Sequence, residues 1–266
     1  MKDIKTGIIG CGNMGGAIAR GMAGGGSFSP DSVLLFDKDE ERMVSLAAET
    51  GCVKSGLREL VSASDILIIA VKPQDFKALA EEMRGDIGEA TVVSVMAGVR
   101  ISAVTGMIGS DLPAARAMPN MAAAVGEAVT CLSFNDKALL RGEIKDIFKS
   151  IGAVLEIEEK HMDAVTAISG SGPAYLFHLA EAMLEAALDS GIEEKAAVKL
   201  VEQTLYGSSL LLRSSEEGPA ELIQKVASKG GTTEAAMLVF EEKLMKEIVK
   251  DAIREAERRS KQLSGG

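Results

Sequence analysis

The sequence predicts an α/β protein: a doubly wound, mostly parallel sheet followed by an all-α helical domain. Three observations carry this. Short β-rich runs alternate with helix-spaced segments through the first 158 residues; a glycine turn joins the first strand to the first helix; and no convincing strand follows Glu159. With 266 residues the chain is long enough for two ordinary domains, and the composition shift places them at 1–158 and 159–266.

Ile4–Ile9, Val33–Phe36, Asp65–Val71, Thr91–Met96, Ala115–Met118, Ala128–Leu132 and Ala153–Ile157 read as strands. Asp65–Val71 is a continuous apolar run, as in a strand buried on both faces. Asn13–Ala23, Glu40–Thr50 and about Lys137–Ile151 read as helices. Beyond the boundary, Pro173–Ser190 has helical spacing, with Pro173 in the first turn and Gly191 at the stop. Glu193–Leu212, Pro219–Ser228 and Thr233 to about Gln262 follow as helices. The last is read as one long helix, acidic at its start and rich in arginine towards its end. Helices this long and apolar in a domain of this size are expected to bury their faces in a homodimer.

Composition excludes several classes. Hydrophobic residues make up 47% and charged residues 26%, which rules out a disordered chain. The net charge of −10 argues against nucleic acid or an anionic membrane as partner. The apolar run Ile66–Val71 is far shorter than a membrane span, and the N-terminus does not read as a signal peptide. Three dispersed cysteines, Cys11, Cys52 and Cys131, predict reduced thiols in a cytoplasmic protein. Two histidines, His161 and His178, offer neither a metal site nor a Ser-His-Asp triad.

Gly10-Cys11-Gly12-Asn13-Met14-Gly15 is a G-x-G-x-x-G turn between a predicted strand and a predicted helix, the context that dinucleotide binding requires. Gly10 makes the turn, Gly12 admits a pyrophosphate, and Gly15 lets the helix pack close to the strand. Asp37 ends the second strand, where an acid accepts hydrogen bonds from ribose hydroxyls and repels a 2′-phosphate, so the cofactor leans towards NADH over NADPH. Lys38 and Arg42 nearby act in the opposite direction. Ala70-Val71-Lys72-Pro73 and Val95-Met96-Ala97 leave two further strands at the carboxyl edge of the sheet, where ligands of such sheets bind. Pro73 is expected to end its strand and fix a loop. Ser169–Pro173 and Ser228–Thr233 are glycine- and hydroxyl-rich helix entries, each a candidate for a carboxylate. These motifs by themselves reach a nicotinamide-dependent oxidoreductase.

Taken together, GIIGCGNMGGAIARG, AVKPQ, SVMAGV, RAMPNMAAAVGEAVT, DAVTAISGSGPAYLF and VASKGGTTEAAM resemble the pyrroline-5-carboxylate reductase family, in family order across residues 4–240. The resemblance implies a Rossmann domain, a helical dimerisation domain, interlocked homodimers that assemble further in many members, and reduction of 1-pyrroline-5-carboxylate to L-proline by NADPH or NADH. It places the cofactor on Gly10–Gly15, Asp37, Ala70–Pro73 and Val95–Ala97. It places the substrate near Glu159 and on Ser228, Gly230, Gly231, Thr232 and Thr233, with Thr233 and Glu159 in catalytic roles. Lys229 stands where the family usually has proline, and Leu57 where many members have asparagine. The alternative is another Rossmann reductase, of the β-hydroxyacid dehydrogenase or deazaflavin-nicotinamide type. The first of these takes its proton through a lysine early in the second domain, and no lysine or arginine occurs between Lys160 and Lys195.

Overall fold

In the computed structural model, which describes residues 4–109 and 111–264, β1 (Thr6–Ile9), β2 (Val33–Phe36), β3 (Val53–Lys54), β4 (Ile66–Ile69), β5 (Thr91–Ser94), β6 (Ala114–Met118), β7 (Ala128–Phe134) and β8 (Gly152–Glu156) form one sheet. Its order is β3-β2-β1-β4-β5-β6-β7-β8. All pairs are parallel except β6 and β7. The reversal in strand order lies at β1 and β4, the two strands whose carboxyl ends carry the Gly10 and Ala70 loops.

Alternate residues of the central strands feed two separate cores. Ile8, Ile66 and Ile68 pack with α1 (Asn13–Gly24), α2 (Glu40–Thr50) and α6 (Arg141–Lys149). Ile9, Leu67 and Ile69 pack with α3 (Leu57–Ala63), α4 (Pro73–Met83) and α5 (Ile101–Ile108). This two-sided cover is why Ile66–Ile69 shows no polar alternation. Each fully buried Ile or Leu there contributes about 1.5–3 kcal/mol.

The termini of α2 match their signals. The Asp39 carboxylate accepts from the Arg42 N–H, and Gly51 stops the helix at φ 75°. Other expectations need correction. Pro73 does not fix a loop; it opens α4, where its missing N–H costs nothing. α3, α4 and α5 fall in segments left unassigned from sequence. The expected helix from Lys137 begins only at Arg141, after Leu140 adopts φ 54°.

The chain divides after Ser171 into two compact units; the second runs Gly172–Glu255, and the turns from Ala256 onward belong with the first. The first unit ends in a short helix, α7 (Met162–Val165), and a π-helical turn, Thr166–Gly170. The second unit is helical: α8 (Gly172–Asp189), α9 (Glu194–Ser214), α10 (Pro219–Val226), α11 (Thr232–Glu242) and the first part of α12 (Met245–Leu263). α8 packs against α9. The single helix expected from Thr233 to Gln262 is two helices, because Leu244 turns left-handed at φ 54° between α11 and α12. Among the described residues, no helix is long and apolar enough to cross a membrane.

Candidate active site

The glycine turn is built as its spacing requires. Gly10 sits at φ 105°, and a Cβ there would lie 2.6 Å from the Ala70 carbonyl oxygen. A Cβ at Gly15 would collide with the Gly10 carbonyl oxygen, so the third glycine sets how closely α1 packs on the turn. At Gly12 a Cβ would meet nothing within 4 Å. Gly12 is the N-cap of α1 and supplies no side-chain cap. The first N–H groups of α1 therefore face an open approach, and this is the geometry a pyrophosphate fits.

Asp37 leaves β2 beside this turn. Its Oδ2 accepts from the Cys11 N–H at 2.6 Å and its Oδ1 from the Asp39 N–H at 2.9 Å. The carboxylate thus ties the glycine turn to the β2–α2 connection, a structural duty that the sequence did not reveal. The neighbouring Cys11 thiol is pushed up to about 12, first by burial, then by the charges of Asp37 and Cys52.

A groove of about 940 Å³ runs along these loops. Of the predicted cofactor residues, Gly10, Cys11, Gly12, Asn13, Asp37, Ala70, Val71 and Lys72 line it. Met14, Gly15, Pro73, Val95, Met96 and Ala97 are not among its lining. Met96 is buried, and the Val95 N–H donates to the Ile69 carbonyl at 3.1 Å, which anchors the start of that segment to the carboxyl end of β4. Three lining cations are paired: Arg20 with Glu49 at 2.7 Å, Arg42 with Asp39 at 2.9 Å, and Lys38 with Asp75 at 3.2 Å. Lys72 has no carboxylate partner among the described residues.

Glu159 lies just beyond β8. Its Oε1 accepts from the Ile101 N–H at 2.7 Å, capping α5 from 58 residues away. The same oxygen lies 4.0 Å from Nη1 of Arg116. Arg116, on β6, is 1% exposed and was not singled out in the sequence, although a lone arginine within Ala-Ala-Arg-Ala-Met was the available signal. Burial pulls its pKa down, and Asp163 and then Glu159 oppose that pull.

In the second unit, residues 228–233 form the entry to α11. Gly231 is the N-cap and again offers no side chain. Its N–H donates to the Ser228 carbonyl at 2.9 Å, and Gly230 turns at φ 73°. Glu234 reaches back to accept from the Gly230 N–H at 2.6 Å. The loop gathers Ser228, Gly230, Gly231, Thr232 and Thr233 at one helix N-terminus. The other expected helix entry, Ser169–Pro173, is different. The Ser171 N–H donates to the Thr166 carbonyl at 2.8 Å, and the Ser169 hydroxyl donates to the Val165 carbonyl at 3.0 Å. The Ser171 amide and the Ser169 hydroxyl are thus consumed within a helical turn.

Residues 159–263 match the model for pyrroline-5-carboxylate reductase dimerisation. Residues 5–98 match the model described as NADP oxidoreductase, coenzyme F420-dependent. The chain is 33% identical over 264 residues to pyrroline-5-carboxylate reductase 2 of Bacillus subtilis (strain 168), covering 97% of this chain and 95% of that one. It is 34% identical over 268 residues to the pyrroline-5-carboxylate reductase of Methanosarcina acetivorans, covering 99% of both. Among solved structures, the Coxiella burnetii pyrroline-5-carboxylate reductase superposes with a TM-score of 0.92 at 29% identity over 99% of both chains. The Plasmodium falciparum pyrroline carboxylate reductase, solved with NADP bound, superposes at 0.89, again at 29% identity and 99% coverage of both. On the full-length match to these relatives, the chain belongs to the pyrroline-5-carboxylate reductase family.

Proposed function

We propose that this chain reduces the C=N bond of 1-pyrroline-5-carboxylate to L-proline with a nicotinamide cofactor, the last step of proline biosynthesis. One observation carries the residue-level reading. Of the helices that begin at a glycine N-cap with no side-chain cap, α1 does so in the cofactor groove and α11 at the hydroxyl-rich 228–233 loop of the helical unit. The first suits a pyrophosphate and the second a small carboxylate.

The imine is basic and reacts as a cationic iminium, so the reaction needs one hydride at carbon and little acid–base machinery. The dihydronicotinamide supplies the hydride when bound. The N–H groups of Gly12 and Asn13 and the Lys72 cation hold the phosphates. The first N–H groups of α11, those of Thr232 and Thr233 beyond the Gly230–Gly231 turn, hold the substrate carboxylate with the hydroxyls of Ser228 and Thr232. The Thr233 hydroxyl orients the ring nitrogen, and Glu159 stabilises the iminium charge. Holding the ring in register with the hydride donor supplies most of the acceleration, up to roughly 7–11 kcal/mol.

The preferred cofactor is NADH. Both Asp37 oxygens are fixed by backbone amides, so the carboxylate stays where a 2′-phosphate would lie. The two flanking cations, Lys38 and Arg42, are already paired. The division at residues 158 and 159 separates a dinucleotide-binding domain from a substrate and dimerisation domain; the end of the last strand at Glu156 supports it. The working form is a homodimer that associates further, and the three free cysteines support a cytoplasmic location.

Cofactor oxidation followed at 340 nm with pyrroline-5-carboxylate, NADH and NADPH side by side tests the reading. Turnover with proline as product is expected, with the higher kcat/KM for NADH. No turnover with either cofactor overturns the activity, and a preference for NADPH overturns the reading of Asp37.

A further inference from the structure

We propose that Arg116 is a positioning residue for the reduction: shared between two carboxylates, its guanidinium holds Glu159 in place at the carboxyl edge of the sheet, and the last turns of α12 brace that arrangement through Asp163. The inference rests on the reading above, in which Glu159 meets the cationic ring.

Arg116 pairs in register with Ser94, the last residue of β5, and with Ser133 on β7. It therefore stands level with the point where the Val95–Ala97 segment leaves the sheet. Its neighbours Ala115 and Ala117 serve the core on the opposite face, while Met118 packs with Cys131, Met162 and Val165. Among the described residues, two carboxylates lie within 4.0 Å of this buried guanidinium. Glu159 lies 4.0 Å away on one side and Asp163 3.8 Å away on the other.

Each carboxylate is itself anchored. Glu159 is fixed by the Ile101 N–H at the head of α5. Asp163 is buried and accepts from the Ser260 hydroxyl at 2.7 Å and the Ser264 hydroxyl at 3.1 Å. A single network thus runs from α5 through Glu159, Arg116 and Asp163 to the end of α12. Stability alone does not call for it, since an apolar side chain in such a place is commonly as stabilising as a buried ion pair. Moreover, Nε and Nη2 of Arg116 have no hydrogen-bond partner among the described residues. The guanidinium is held by charge at both ends and not by a closed fork. It sets where the Glu159 carboxylate stands without consuming that group's capacity to meet a cation.

The test compares R116K, E159Q and the double variant. Lysine keeps the charge but offers one ammonium to two separated carboxylates. R116K is expected to lower kcat for the imine about 30-fold, and E159Q about 100-fold; the double variant falls no more than about 3-fold below E159Q. Because Arg116 does not line the cofactor groove, the NADH Kd read by fluorescence stays within about 3-fold of wild type. Unchanged kcat in R116K, losses that multiply in the double variant, or an equal loss of cofactor binding overturns the proposal. If R116K does not fold, S260A answers instead, since it leaves all three charges in place. It is expected to lower kcat about 5-fold in the wild-type background and not in E159Q; no loss, or the same loss in both, overturns the proposal. A wild-type protein that does not reduce the imine overturns the proposed activity and this inference with it. A wild type that reduces it while the losses multiply overturns this inference alone.

Discussion

The two units handle apolar sequence in opposite ways. In the first, every residue of β1, β4, β5 and β6 is buried, because alternate side chains enter one core or the other. In the second, α8, α10 and α11 contain no buried residue at all, although they are rich in leucine, valine and phenylalanine. Phe177 is 58% exposed and Leu211 55%. The sheet completes its core within one chain. The helical unit does not, and a second copy is the cover its family match specifies.

The largest effect should come from attacking the incomplete half. The double variant F177D/L211D is expected to convert the dimer to monomers by light scattering and to lower imine reduction about 1000-fold, while NADH affinity changes less than about 3-fold. An active monomer would break the comparison between the units.

Thr233→Ala is next. The variant is expected to lower kcat roughly 100-fold in the dimer, within the range for one lost polar group. Unaltered steady-state kinetics in a folded protein remove Thr233 from the mechanism.

Asp37→Ser sharpens the first unit's role. It is expected to shift the NADH to NADPH ratio of kcat/KM about 10-fold towards NADPH. Asp37→Asn keeps an acceptor for the Cys11 N–H and separates charge from loop support: if only the serine variant shifts the ratio, the carboxylate's charge is not what selects the cofactor.

The smallest effect concerns the thiols. Burial raises the Cys11, Cys52 and Cys131 thiols, with Asp37 the second cause at Cys11. The unfolded chain releases these protons first, from about pH 8.5, so above that pH it holds fewer than the folded chain. Stability is therefore flat below that pH and falls as pH rises towards about 12. Urea midpoints at about pH 8 and pH 10 should show a smaller fall in C11A than in wild type; an equal fall shows that Cys11 does not contribute.

What the sequence disclosed follows the same division. Val33–Phe36 and Glu40–Thr50 were legible to the residue, because apolar runs between turn residues and a capped amphipathic stretch have strong local signatures. α3 and α5 were missed because seven- and eight-residue helices show barely two turns of periodicity, and the 11-residue α4 because Pro73 reads equally as a strand stop and as a first-turn residue. The break between α11 and α12 carries neither glycine nor proline; Leu244 adopts a conformation that its identity disfavours, so no local cue existed. At the candidate site, the glycine turn and the 228–233 loop were readable as local motifs. Arg116, Asp163 and Ser260 were not, since they meet across separations as large as 97 residues. Asp37 was found by position, but its grip on Cys11 depends on two strands lying side by side.

The sheet's two margins bear on how the protein behaves at high concentration. One ends in β3, only two residues long. The other ends in β8, where Leu155 is 56% exposed and, among the described residues, the backbone has no further strand to pair with. There, Glu156 sits beside Arg141 at 3.8 Å and Lys145 at 2.6 Å, a charged clasp at the end of the margin. Neutralising that clasp would remove the charges that guard this margin against pairing with the same margin of another molecule, a duty of three ionic side chains that lies outside the chemistry.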